Sequence, residues 1–168
     1  MKIYLIGMPG SGKTTIGKHL AKQLNYQHID LDAEIEKHAL MFIDEIIEKL
    51  GIESFRNLET EVLQNIKGNN IVVSTGGGIV ENRNNKKYMD GLIINLDVSN
   101  QIIEKRIEND YPRPLLIENA LDDIYQKRFL LYQHFADINI SNANSINETI
   151  NNIIIKIKEY QNEKNINN

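Results

Sequence analysis

Cysteine is absent from this chain of 168 residues. That excludes a disulfide framework and any thiolate metal site, and it suits a reducing compartment. An excess of positive charge is also missing: Lys and Arg number 19 against 23 Asp and Glu, a formal net charge of −4. A chain of pI near 5.6 is a poor binder of nucleic acid or of anionic membrane. No apolar run approaches the ~18 residues of a membrane span. The opening run Met1-Lys2-Ile3-Tyr4-Leu5-Ile6 is too short for the apolar region of a signal peptide, and it leads straight into Gly7. The expectation is a cytoplasmic, soluble monomer. Proline is scarce as well, with three in the chain, and two of these, Pro112 and Pro114, fall in one stretch without periodicity.

The hydrophobic fraction of 41% supplies a sizeable core, and the length fits one domain over residues 1–168. Residues 2–6 read as a buried strand. From Lys13 the period changes, with Ile16, Leu20 and Leu24 at helical spacing. Residues 27–32 read as a second strand with Asp30 and Asp32 at its end. Residues 42–50 and 52–66 read as helices closed by Gly51 and Gly68. A third strand at 71–75 stops at Gly76-Gly77-Gly78, and a fourth covers 92–97. Ser99 can cap a helix running to about 108. Residues 109–119 form a loop, 121–135 a helix and 137–141 a short strand. Ser145 and Glu148 form a capping box for a last helix over about 146–160. The polar tail 161–168 is expected to fray. Strands that alternate with helices indicate an α/β fold with a parallel sheet.

Gly7-Met8-Pro9-Gly10-Ser11-Gly12-Lys13-Thr14 matches G-x-x-x-x-G-K-[ST] in full. It also sits where that motif must sit, between a strand and a helix. Glycines let the backbone curl so that its N–H groups point at phosphate oxygens, and the helix adds its positive end. The motif assigns Gly10, Ser11, Gly12, Lys13, Thr14 and Thr15 to ATP, with Lys13 on the β/γ-phosphates and the Thr14 hydroxyl on Mg2+. No N-K-x-D-like guanine motif appears, and the chain is short for a motor, which leaves a small kinase.

Asp30 and Asp32, at i and i+2 of a strand, would face one side beyond the sheet's carboxyl edge, where open parallel sheets bind ligands. Two solvated turn aspartates are the plainer reading of the same residues. Four further features stand in order: Phe55-Arg56-Asn57-Leu58-Glu59, Ser74-Thr75-Gly76-Gly77-Gly78, Arg113-Pro114-Leu115-Leu116, and Arg128 with Leu131-Tyr132. Each has a bland reading alone. Arg56 and Glu59 can be a helix ion pair worth ~0.2–0.5 kcal/mol, and Arg106 has Asp110 at i+4. Arg128 can be solvated, and the glycines can be a plain turn.

Taken as an ordered set over about residues 3–136, these features closely resemble the shikimate kinase family. That family carries a P-loop, D-x-D, F-R-x-x-E, S/T-x-G-G-G, an R-P-L-L lid and R-x-P-L-Y in this order. The resemblance implies a nucleoside-monophosphate-kinase-like fold: a five-stranded parallel sheet flanked by helices, with a mobile lid at about 109–119. It implies transfer of the γ-phosphoryl group of ATP to shikimate. Asp32 would bind the attacking hydroxyl, and Arg56 and Arg128 would hold the shikimate carboxylate. Gly76, Gly77 and Gly78 would offer backbone N–H groups to the ring. Asp30 and Ser74 would sit near Mg2+ through water. Arg113 would reach the transferring phosphoryl group, and Arg106 would lie against adenine. Lys13, Asp32 and Arg113 form the catalytic set.

The chain departs from the pattern at three places. Leu130 replaces the proline of R-x-P-L-Y, Ile47 stands where an aromatic is common, and no arginine follows Ser141. The competing readings are a gluconate or nucleoside-monophosphate kinase and an ATP-sensing protein without transfer; intact Lys13, Thr14, Asp32 and Arg113 oppose the latter. A lid arginine that meets charge on the phosphoryl group acts on the transition state. Arg113→Ala is therefore expected to lower kcat by orders of magnitude while acceptor affinity changes little. Near-normal kcat in steady-state assays of that variant would remove Arg113 from the catalytic set.

Overall fold

The structure, a computed structural model, describes residues 1–107 and 120–166. The lid at 109–119, with Arg113, lies outside the described residues. Five strands, β1 (Lys2–Ile6), β2 (Gln27–Asp30), β3 (Ile71–Ser74), β4 (Leu92–Asp97) and β5 (Ile138–Ser141), form one sheet in the order β2-β3-β1-β4-β5. Every pairing is parallel. The helices are α1 (Lys13–Leu24), α2 (Leu31–Ala39), α3 (Ile43–Leu50), α4 (Ile52–Gln64), α5 (Asn100–Ile107), α6 (Ala120–Phe135) and α7 (Ile146–Ile166). Two 3-10 turns, Ile79–Glu81 and Arg83–Tyr88, follow β3.

A parallel sheet covered on both faces needs strands that are apolar throughout, and all five residues of β1 are buried. Their side chains alternate between two cores. Ile3 and Leu5 pack with Ile16, Leu20 and Ile153, on the side of α1 and α7. Tyr4 and Ile6 pack with Leu31, Phe55, Leu63 and Phe135, on the side of α2, α4 and α6. Each fully buried aliphatic side chain contributes about 1.5–3 kcal/mol, so β1 alone anchors both layers. The P-loop therefore leaves from a fully buried strand at the centre of the sheet.

Three local expectations change. The strand predicted at 27–32 ends at Asp30, and α2 begins at Leu31. Asp30 caps that helix by accepting from the Ala33 N–H at 3.4 Å. Asp32 and Glu34 fall in its first turn and Lys37 and His38 in its last, the charge order that complements a helix dipole. The tail expected to fray from 161 continues α7 to Ile166; residues 161–166 contain neither glycine nor proline. At its other end only half of the capping box forms. Ser145 Oγ accepts from the Glu148 N–H, while the Glu148 carboxylate accepts from Asn144.

Helix α1 rests on the sheet through Gly17. A Cβ there would meet Ser74 Oγ at 2.3 Å and His28 Nε2 at 2.8 Å. The Ser74 hydroxyl donates to the Lys13 carbonyl at 2.9 Å, so the ring N–H of His28 is the donor across their 3.0 Å contact. Burial lowers the His28 pKa, with Lys18 acting in the same sense and Asp30 against it. Gly17→Ala would gain about 1 kcal/mol of helix propensity and lose about 1–3 kcal/mol to overpacking. The expected result is a thermal midpoint lower by about 2–4 °C. A higher midpoint by calorimetry would show that α1 can lift from the sheet without cost.

Candidate active site

The phosphate loop connects β1 to α1. Gly7, Gly10 and Gly12 have φ of 141°, 78° and 92°, values that L side chains rarely adopt. The Ser11 N–H donates to Met8 O at 3.1 Å, closing the loop. Lys13 Nζ donates to Gly7 O at 2.9 Å and to Met8 O at 2.8 Å. The ammonium is thus held over the concave side of its own loop. Thr14 and Thr15 are exposed in the first turn of α1. Thr14 Oγ1 donates to Asp30 Oδ2 at 2.7 Å. These are hard oxygen donors at the helix start, a set that suits Mg2+ held by one or two protein oxygens plus phosphates. Among the described residues no cluster of three or more His, Cys, Asp or Glu could hold a metal alone. Ser74 is fully buried, and its hydroxyl serves Lys13 and His28.

The two aspartates do not share a strand face. Asp30 turns to Thr14, whereas Asp32, in α2, turns to Gly76. A Cβ on Gly76 would meet Asp32 Oδ1 at 2.8 Å and Glu59 Oε1 at 3.0 Å. A Cβ on Gly77 would meet the Pro9 ring at 2.7 Å. A Cβ on Gly78 would meet Arg56 Nη2 at 2.0 Å. None of the three has positive φ among the described residues, so glycine is required here for space and not for conformation. The triple glycine brings the P-loop, Asp32 and Arg56 together at the end of β3.

Arg56 from α4 and Arg128 from α6 meet on one side chain. Glu81 Oε2 accepts from Arg56 Nε at 3.1 Å and lies 2.9 Å from its Nη2. Glu81 Oε1 accepts from Arg128 Nε at 2.9 Å and Nη2 at 2.6 Å. The plain helix ion pair is also real: Arg56 Nη1 donates to Glu59 Oε2 at 3.1 Å. Arg128 is buried, not solvated. Leu130 is exposed on an unbroken α6, so losing the motif proline leaves Arg128 in the site. On the same helix the Tyr132 hydroxyl donates to Gly77 O at 2.5 Å. Ile47 is partly buried against the core cluster that includes Phe55.

Arg106 of α5 spans the nucleotide side. It donates to Ser11 O at 3.3 Å and to Asn142 O at 2.7 Å. Asn142 follows Ser141, donates to Ser11 O at 2.7 Å and accepts from Thr149 Oγ1 at 2.8 Å. Its part in the phosphate loop was missed in the sequence, as was that of Glu81. Glu81 is 25 positions from Arg56 and 47 from Arg128, beyond any local spacing rule.

A kinase of the P-loop type, acting on a small molecule, is the class that this sheet order, phosphate loop and facing arginine pair define. The family model for shikimate kinase matches residues 9–158. The shikimate kinase of Rippkaea orientalis is 47% identical over 123 residues, 72% of this chain and 66% of that protein. The shikimate kinase of Bacillus cereus strain AH187 is 34% identical over 163 residues, 96% of this chain and 98% of that one. Among solved structures, the shikimate kinase from Acinetobacter baumannii in complex with shikimate superposes with a TM-score of 0.87 at 34% identity, covering 95% and 93% of the two chains. The chain belongs to the shikimate kinase family.

Glu59 carries a substantial electrostatic cost in the site. Burial raises its pKa to about 7, Arg56 opposes, and Asp32 and Glu81 add to the rise. Its Oε1 has no hydrogen-bond partner among the described residues. A carboxyl whose folded value lies above its ordinary 4.5 favours folding fully below that ordinary value. The favour is lost as pH rises through about 7. Urea unfolding between about pH 5 and pH 8 should therefore show stability falling with pH, by at most about 1.4 kcal/mol per pH unit from this group. Glu59→Gln should flatten that fall; an unchanged slope would mean that Glu59 is ionised throughout.

Proposed function

We propose that this protein transfers the γ-phosphoryl group of ATP to the 3-hydroxyl of shikimate, giving shikimate 3-phosphate and ADP on the route to chorismate and aromatic amino acids. The observation that carries the reading is the convergence of Arg56 and Arg128 on one carboxylate beside Gly78, while Gly77 packs against Pro9 of the phosphate loop. An acceptor carboxylate bound there would lie within one small molecule's length of the phosphates. Guanidinium edges match a carboxylate through paired donors, and each such bond contributes ~1.5–3 kcal/mol.

The residues divide the task as follows. The backbone of Gly10, Ser11 and Gly12, with Lys13, Thr14 and Thr15, holds the phosphates of ATP. Thr14 would ligate Mg2+ directly, with Asp30 and the remaining lone pair of Ser74 reaching its water shell. When bound, the ion offsets charge on the β- and γ-oxygens. Arg106, hydrogen-bonded to Ser11 O and Asn142 O, would border the adenine. Asp32 orients the acceptor hydroxyl at the glycine corner, with Gly76, Gly77 and Gly78 leaving room for the ring. The hydroxyl oxygen attacks γ-phosphorus, the bond to the β–γ bridging oxygen breaks and its electrons leave with ADP. The hydroxyl proton passes to Asp32 or to solvent; a loose transition state demands little of a base, so orientation is the larger part. Arg113, by the family motif, meets the phosphoryl charge from the lid. Residues 1–168 act as one P-loop kinase domain, cytoplasmic and monomeric. No helix among the described residues is long and apolar enough to cross a membrane.

Coupled-enzyme assays of ADP release test the assignment. Release should depend on shikimate, and equal turnover with gluconate or a nucleoside monophosphate would overturn it. Arg128→Ala should raise KM for shikimate about tenfold or more, the loss of one charge-assisted bond, and leave KM for ATP in place.

A further inference from the structure

We propose that Glu81 sets the affinity for the acceptor, because its carboxylate competes with the acceptor's carboxylate for the same edges of Arg56 and Arg128. The inference rests on the reading of these two arginines as the acceptor's anchors. A guanidinium grips a carboxylate through pairs of adjacent N–H groups. The Nε and Nη2 pair of Arg56 faces Glu81 Oε2, and its remaining nitrogen, Nη1, is on Glu59. The same Nε and Nη2 pair of Arg128 is on Glu81 Oε1. Each oxygen of Glu81 thus takes one arginine, which is the arrangement an acceptor carboxylate would need. Both cannot hold these edges together.

The two glutamates around Arg56 differ in what they can do. Glu59 is buried on the same helix, one turn away, and grips Arg56 from the core side. Glu81 is 42% exposed and sits at the end of a three-residue 3-10 turn. The backbone of that turn is fixed. The Glu81 N–H donates to Gly78 O, and Asn85 donates to Ile79 O. Thr60 of α4 donates to Asn85, and Asn82 donates to Thr60. What is left to move is the side chain, which can turn into water with little loss of solvation. Glu81 also keeps two guanidinium groups aimed at one point, which would otherwise repel each other. Preorganisation and competition come from the same contact.

Glu81→Gln removes the competing charge and keeps the shape. At saturating MgATP its KM for shikimate should fall about fivefold, the worth of one partly exposed ion pair, with KM for ATP unmoved. A second measurement needs no turnover: calorimetric titration with cyclohex-1-ene-1-carboxylate, which should bind Glu81→Gln more tightly than wild type by a similar factor. Equal or weaker binding of that carboxylate, or an equal or higher KM for shikimate, overturns the proposal; a merely structural Glu81 predicts the higher KM. Should Glu81→Gln fail to fold, Glu81→Asp decides by the same readings, since one methylene less cannot span both arginines. Wild-type enzyme that releases no ADP with shikimate would sink the proposed reaction, while the carboxylate titration would still decide for or against Glu81.

Discussion

No side chain fits at the end of β3, because three other parts of the molecule already occupy the positions where Cβ atoms would stand. Asp32 and Glu59 fill the place beside Gly76, Pro9 that beside Gly77, and Arg56 that beside Gly78. The remaining geometry of the site follows from this crowding. It presses the phosphate loop against the corner that holds Asp32 and Arg56. In the sheet β3 lies between β2, which ends at Asp30 and leads into α2 with Asp32, and β1, which leads into the P-loop. Proximity of this kind is a large part of what a phosphotransferase contributes.

The same corner concentrates charge. Two arginines and three carboxylates, Asp32, Glu59 and Glu81, share a partly buried space. Desolvation disfavours the buried Glu59 anion, and the nearby negative charges add to it. Arg56 is the group that makes the cluster tolerable, pairing with Glu59 on one side and Glu81 on the other. A buried ion pair broken on one side leaves a costly lone charge, so this network constrains which residues α4 can carry.

Much of this was legible in the chain before any coordinates. The P-loop announces itself because its chemistry is local: glycines with special φ, then a helix start, within eight consecutive residues. The strands follow from short apolar runs, and the helices from period and caps. Helix α2 was missed because Asp30 and Asp32 were read as a strand end. The alternation of Ile29, Leu31 and the aspartates fits both patterns over so few residues, and only the cap on Ala33 decides. The ion pair of Arg56 with Glu59 was one of two rival readings, and the structure shows the pair, with Glu81 on the other side of Arg56. Glu81 and Asn142 were invisible for another reason. Their partners are distant in sequence, and nothing in the residues around them encodes where the fold will bring them.

Ser11 O is held by Asn142 and Arg106, which reach it from 131 and 95 positions away. The phosphate loop is encoded within the first fourteen residues, yet its clamp is added from Arg106 and Asn142, much later in the chain. During synthesis from the N-terminus, β1 and the loop emerge first and must wait for β5 and the residue after it. A ribosome-bound chain that has not yet reached Asn142 carries the whole P-loop sequence and its local bonds, but lacks the Asn142 hydrogen bond to Ser11 O. The clamp on Ser11 O is thus complete only once Asn142 has been made.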